Sequence, residues 1–207
     1  MDKKIKNLLF DLGGVIMDIK RDNCVAALTQ LGVPEHEADD LLGLYAQNGP
    51  FLALEEGKIT PSEFRDVIRT KISHSVSDME MDEAFNAFLI GIPKKRLEAL
   101  RELRKKYKIY MLSNTNAIMY DSKIKESFEI EGFTREDYFD GISLSFEAKS
   151  SKPDALIFDY TINKLGILPE ETLFFDDSQK NLDAAKHFGF ATYLVCPGTE
   201  FMEYFQA

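Results

Sequence analysis

Three short apolar runs punctuate the chain, and each stops at a polar residue. Residues 5–10 end at Asp11, residues 109–112 at Ser113, and residues 172–175 at Asp176. Short, largely apolar runs of this length suit strands buried on both faces, as in a parallel sheet. A weaker fourth run covers residues 191–195. Helical spacing fills the intervals. In residues 93–106, Leu97, Leu100 and Leu103 share one face while Lys and Arg take the other. Residues 154–165, with Leu156, Ile157, Tyr160 and Leu165 inward, and residues 181–188 read the same way.

Residues 18–92 hold no clear strand. They read as helices over 23–31, 35–46, 61–71 and 81–89, with Pro34 and Pro61 near helix starts and Gly32, Gly49 and Gly57 near ends. The pattern predicts an α/β fold. An open parallel sheet flanked by helices is built from residues 1–17 and 93–207, and a small helical domain, residues 18–92, is inserted after the first strand.

Composition narrows the partners. The formal net charge of −10 lacks the basic face that a nucleic-acid binder needs. No stretch approaches the ~20 apolar residues of a membrane helix. Asp11 interrupts the only apolar run that follows the basic N-terminal residues, so no signal peptide is expected. Cys24 and Cys196 form no CxxC pair and no zinc-type cluster with His36, His74 or His187. They read as buried thiols in a reducing compartment, and the chain reads as cytoplasmic.

Ligands of an open parallel sheet gather beyond the carboxyl ends of its strands. Asp11 stands at such an end, followed by Gly13 and Gly14, whose backbone can bend closely around a ligand. It could serve as nucleophile, as metal ligand, as both, or simply cap a turn. Ser113 and Asn114 suit phosphate oxygens at a helix start, or an ordinary N-cap. Lys152, held before Pro153, is placed to neutralise a nucleophilic carboxylate and a transferring phosphoryl group, or to lie in solvent. Asp176 and Asp177 are adjacent carboxylates that repel unless a divalent cation such as Mg²⁺ resolves them, or they form an acidic loop capping the next helix.

Taken in order, the segments FDLGGV, LSNTN, SKPD and FFDDSQKN resemble the haloacid dehalogenase superfamily of aspartate-nucleophile hydrolases, and the resemblance covers essentially the whole chain. More narrowly, the chain resembles the bacterial sugar-1-phosphate phosphatases, whose first motif also lacks a second Asp. The resemblance implies a Rossmann-like core with a helical cap, and Mg²⁺-dependent hydrolysis of a small phosphorylated metabolite. It assigns Asp11 as nucleophile and metal ligand, and Ser113 and Asn114 as the phosphate-binding pair. Lys152 is the charge-neutralising group. Asp177 is the main acidic metal ligand and Asp176 a second or water-mediated one. The Gly13 carbonyl is a further metal ligand.

One position departs from that pattern. Most phosphatases of the superfamily carry a general acid two residues after the nucleophile, and here that residue is Gly13. Such help is worth ~10²–10⁴-fold in rate. A good leaving group, such as an anomeric oxygen or an acyl phosphate, offsets the loss; a substitute acid does too, and Asp18 is one candidate. Residues 51–57 either present groups to a sugar or end a helix packed on its neighbours. Halide displacement needs no acid, but it needs no metal either, and Asp176 and Asp177 favour phosphate chemistry. A phosphomutase and a non-catalytic phosphate-binding protein are the other readings.

Overall fold

The computed structural model describes residues 5–42 and 49–206. Its centre is a five-stranded, wholly parallel sheet. In chain order the strands are β1 (Asn7–Phe10), β4 (Lys108–Ser113), β5 (Gly141–Leu144), β6 (Thr172–Asp176) and β7 (Ala191–Leu194), side by side as β5-β4-β1-β6-β7. A separate antiparallel ribbon pairs β2 (Asp18–Ile19) with β3 (Leu89–Gly91). The expected α/β architecture with a parallel sheet is therefore observed.

Burial explains the order. Every residue of β1 and β6 is buried, so these apolar runs occupy the middle, where helices cover both faces. The Phe10 and Phe175 rings stack across the β1–β6 pair with centroids 4.6 Å apart. β7 carries no fully buried residue and forms one edge. The other edge, β5, has the sequence GISL and was not expected as a strand; it is too short and polar to stand out.

Between β2 and β3 run α1 (Arg21–Gln30), α2 (Glu35–Leu41), α3 (Pro50–Glu55), α4 (Pro61–Arg69) and α5 (Asp78–Asn86). The ribbon thus carries the chain out to a helical segment and back. The expected helix over residues 35–46 is seen as far as Leu41, and residues 43–48 lie outside the described residues. α3 falls where a packed helix end was one of the two readings of residues 51–57. Capping boxes at Thr60 with Glu63 and at Ser77 with Glu80 fix the starts of α4 and α5. An aromatic cluster of Phe51, Phe64 and Phe85 ties α3, α4 and α5 together.

The remaining helices are α6 (Lys94–Arg104), α7 (Ala117–Met119), α8 (Lys125–Glu129), α9 (Arg135–Tyr138), α10 (Ser145–Ala148), α11 (Ala155–Leu165) and α12 (Gln179–His187). Asp154 caps α11 by accepting from the Leu156 N–H at 2.9 Å. That start sets the helix phase so that Ile157, Phe158 and Thr161 face inward, and Leu156, expected inward, is 64% exposed. Cys24 is buried as expected, but Cys196 is exposed; both are free thiols. Among the described residues, no helix is long and apolar enough to cross a membrane.

Candidate active site

Strand register assembles the site. Phe10 of β1 lies opposite Met111 of β4 and Phe175 of β6. Asp11, Ser113 and Asp176 therefore sit together at the carboxyl ends of three adjacent strands. The Asp11 N–H donates to the Phe175 carbonyl at 2.9 Å, extending the ladder by one residue before β1 turns away. The Leu12 N–H donates to Asp11 Oδ1 at 2.7 Å and orients the carboxylate.

Lys152 joins the strand ends. Its Nζ lies 2.8 Å from Asp11 Oδ1 and 2.8 Å from Asp176 Oδ2, and donates to the Leu112 carbonyl at 3.3 Å. The ammonium side chain is only 1% exposed, so the reading of a solvated surface lysine does not hold. Burial alone lowers an ammonium pKa. Here the charges of Asp11 and Asp176 outweigh that, and Lys152 is held above its usual range.

Asn114 serves the lysine. Its Oδ1 accepts from the Lys152 N–H at 2.9 Å and its Nδ2 donates to the Lys152 carbonyl at 3.1 Å. The side chain of this expected phosphate ligand is thus engaged with the Lys152 peptide. Ser113 is buried at the end of β4, and its hydroxyl makes one long bond of 3.3 Å to the Asn114 carbonyl.

Asp176 is fully buried and saturated with donors. Besides Lys152 it accepts from the Ser178 N–H at 2.8 Å and from Asn181 Nδ2 at 3.0 Å. Asn181, on the first turn of α12, was missed as a site residue. Its only signal was its place in the FFDDSQKN segment. Asp177, by contrast, is exposed.

Asp11, Asp176 and Asp177 each offer an oxygen within 4.8 Å of the others. Burial is the main cause that raises Asp11 to about 7; repulsion from Asp176 and Asp177 adds to it and Lys152 opposes it. Burial, then repulsion from Asp176, also raises Asp177. Three carboxylates against one ammonium leave an excess of two negative charges, which a divalent cation cancels. An all-oxygen donor set is what Mg²⁺ takes. Gly14 makes room for the Asp177 carboxylate: at φ +77°, a Cβ there would fall 2.2 Å from Asp177 Oδ2. The residues present fit the ion.

Gly13 is different. Its φ is not in the left-handed region, and a Cβ would meet only Ile19, at an ordinary 3.4 Å. Sterics do not require glycine there; the acid is simply absent. Asp18 does not stand in for it. Its carboxylate accepts from Arg96 at 2.7 Å, in a network that also binds Glu200 and the Ile16 carbonyl.

Comparisons with known proteins identify the family. The haloacid dehalogenase-like hydrolase family model matches residues 5–189. The D-ribitol-5-phosphate phosphatase of Bacteroides thetaiotaomicron is 38% identical over 189 residues, covering 91% of both chains. A haloacid dehalogenase family enzyme from the same organism, crystallised with magnesium and inorganic phosphate, superposes with a TM-score of 0.90 at 41% identity, covering 97% of this chain and 99% of that one. A haloacid dehalogenase-like hydrolase from Porphyromonas gingivalis superposes with a TM-score of 0.87 at 31% identity, covering 98% and 96%. On this match of fold and sequence, the chain belongs to the haloacid dehalogenase-like hydrolases.

Proposed function

We propose that the protein is a Mg²⁺-dependent phosphatase of a small phosphorylated polyol or sugar, with Asp11 as covalent nucleophile. The observation that carries this reading is the buried Lys152 ammonium, 2.8 Å from both Asp11 and Asp176. A lysine so placed opposes the rise in the Asp11 pKa and neutralises negative charge that develops beside Asp11 during phosphoryl transfer.

Asp11, Asp177 and the Gly13 carbonyl hold Mg²⁺ directly. Asp176, already saturated by Lys152, Ser178 and Asn181, supports the ion at one remove. When bound, the ion supplies Lewis-acid stabilisation of charge on the phosphoryl oxygens. The Ser113 hydroxyl and the Asn114 main-chain N–H meet the phosphate, since the Asn114 side chain is committed to Lys152. The free Asp11 oxygen attacks phosphorus, the P–O bond to the alcohol breaks, and an aspartyl-phosphate forms. Water then attacks phosphorus and returns Asp11.

The substrate is a phosphate ester of a small polyhydroxylated molecule. A sugar 1-phosphate was the expectation from the first motif. The Bacteroides relative's D-ribitol 5-phosphate, a primary alkyl ester, is the first compound to assay. Residues 18–92 act as the cap that shields the reaction from bulk water, and the two free thiols suit a reducing cytoplasm. Phosphate release from sugar 1-phosphates, sugar 5- and 6-phosphates and D-ribitol 5-phosphate, with Mg²⁺ and with EDTA, tests the reading. Release that needs Mg²⁺ and is lost in D11N supports it; metal-independent release, or full activity in D11N, contradicts it.

A further inference from the structure

The helical insert meets the core at a seam where two left-handed residues face each other. α10 ends at Lys149, whose φ of +57° and ψ of +27° make the C-cap turn that glycine ordinarily takes. Among the described residues it is the one non-glycine position with such a backbone. Opposite it stands Gly57, two residues beyond α3 and also at φ +57°. Lys149 Nζ donates to the Gly57 carbonyl at 2.7 Å. A Cβ on Gly57 would fall 2.4 Å from the Phe146 carbonyl oxygen and 2.6 Å from Lys149 Nζ, so only glycine lets the insert backbone approach this closely. A lysine in the left-handed region is strained, and such strain gathers at residues that serve a function.

The core side of the seam is firmly held. The Ser145 carbonyl accepts from the N–H groups of Lys149 and Ser150. The Ser145 hydroxyl bonds both the Thr115 N–H and the Thr115 carbonyl at 2.9 Å. Three residues after Lys149 comes Lys152, fixed separately by Asn114. The insert rests on α7 and α10, which follow the carboxyl ends of β4 and β5, so it spans the edge of the sheet where Asp11, Ser113 and Lys152 gather. Another tie joins Asn86 at the end of α5 to Ser122, with Nδ2 donating to the hydroxyl at 2.9 Å. Asn86 stands three residues before β3, at the root of the insert. That tie is part-buried, whereas the Lys149 bond is exposed, where water competes for the donor. The Gly57 end is therefore the weaker attachment. Some part must move, because Asp11 is 8% exposed, Ser113 1% and Lys152 6%, too little surface for a phosphate ester to reach all three.

Resting on the phosphatase reading above, we propose that Lys149 is a latch: its bond to the Gly57 carbonyl holds the insert closed over the strand ends, and breaking that bond admits substrate. Lys149 is a positioning residue that acts through the insert. Lys152 keeps its place through Asn114 whether or not the latch is made. A single exposed bond biases the closed arrangement without locking it, which suits a cover that must open in every turnover.

The test reads closure with and without turnover. Spin labels attached through S62C on α4 and D159C on α11, both exposed positions, straddle the seam, since α4 packs on α3 and α11 on α10. The exposed Cys196 is removed by C196S. K149M keeps the side-chain stem and loses the donor; K149G loses the donor and relieves the backbone; K149R keeps a donor. In Mg²⁺ and inorganic phosphate, K149M and K149G should shift the closed-to-open ratio about three- to tenfold toward longer distances, with K149R close to wild type. With D-ribitol 5-phosphate, KM should rise by the same factor of about three to ten in K149M and K149G, while the saturating single-turnover rate stays within ~twofold. Distances unchanged in K149M and K149G overturn the latch. So does a fall in the saturating rate with KM unchanged, or a loss in K149M that K149G does not share. Wild type inert toward every ester overturns the phosphatase reading, and the distances then still decide whether Lys149 holds the insert closed.

Discussion

The Asn114 side chain grips the Lys152 peptide from both ends, accepting from its N–H at 2.9 Å and donating to its carbonyl at 3.1 Å. The amide thereby sets where the ammonium stands between Asp11 and Asp176. N114D keeps the acceptor and loses the donor, turning one arm of the clamp repulsive. A displaced catalytic group of this kind costs on the order of 10²-fold in rate. N114D is expected to lower kcat for phosphate release by about that factor while the melting temperature stays within a few degrees of wild type. Unchanged kcat would show that the clamp does not position Lys152.

Gly14 faces Asp177 so closely that alanine must displace the carboxylate. Its left-handed backbone adds roughly 1–2 kcal/mol of strain for any residue with a Cβ. G14A should therefore be less stable by at least that amount in denaturant unfolding. It should also need more Mg²⁺ for half-maximal activity. An unaltered Mg²⁺ requirement would separate Asp177 from metal binding.

Protons and Mg²⁺ compete at Asp11. In the metal-free protein its carboxyl is raised from an ordinary 3.8 to about 7 by burial, then by repulsion from Asp176 and Asp177 against the pull of Lys152. A carboxyl raised on folding adds stability on the acid side, and that contribution is lost as pH rises through about 7. Metal binding runs the other way, because the ion needs the carboxylate. The rise in melting temperature caused by Mg²⁺ is expected to be small at pH 5.5 and to grow steadily to pH 8. A rise independent of pH would contradict this account.

Much of this was legible in the chain because parallel strands buried on both faces need largely apolar runs. Those runs end at the carboxyl edge of the sheet, where ligands of such a sheet gather, so Asp11, Ser113 and Asp176 announced themselves by position. β5 stayed hidden because an edge strand of four residues, GISL, carries no such run. Contacts between distant segments were also hidden. Nothing in the local sequence of Asn114 says that its amide holds Lys152, and nothing near Asp18 says that Arg96 has claimed it. Residues 51–57 were open between a ligand-facing stretch and a packed helix end. The described structure shows the packed helix end, with Phe51 buried against Phe64 and Phe85.

The nucleophile is the claim on which the rest depends, and a chemical trap reads it directly. Protein mixed with substrate and Mg²⁺, quenched in acid during turnover and reduced with borohydride, converts an aspartyl-phosphate to homoserine at the residue that carried it. The account predicts homoserine at position 11, found by peptide mass mapping and absent without substrate. Active enzyme with homoserine at another position, or with none under conditions that trap a known aspartyl-phosphate enzyme, would contradict it.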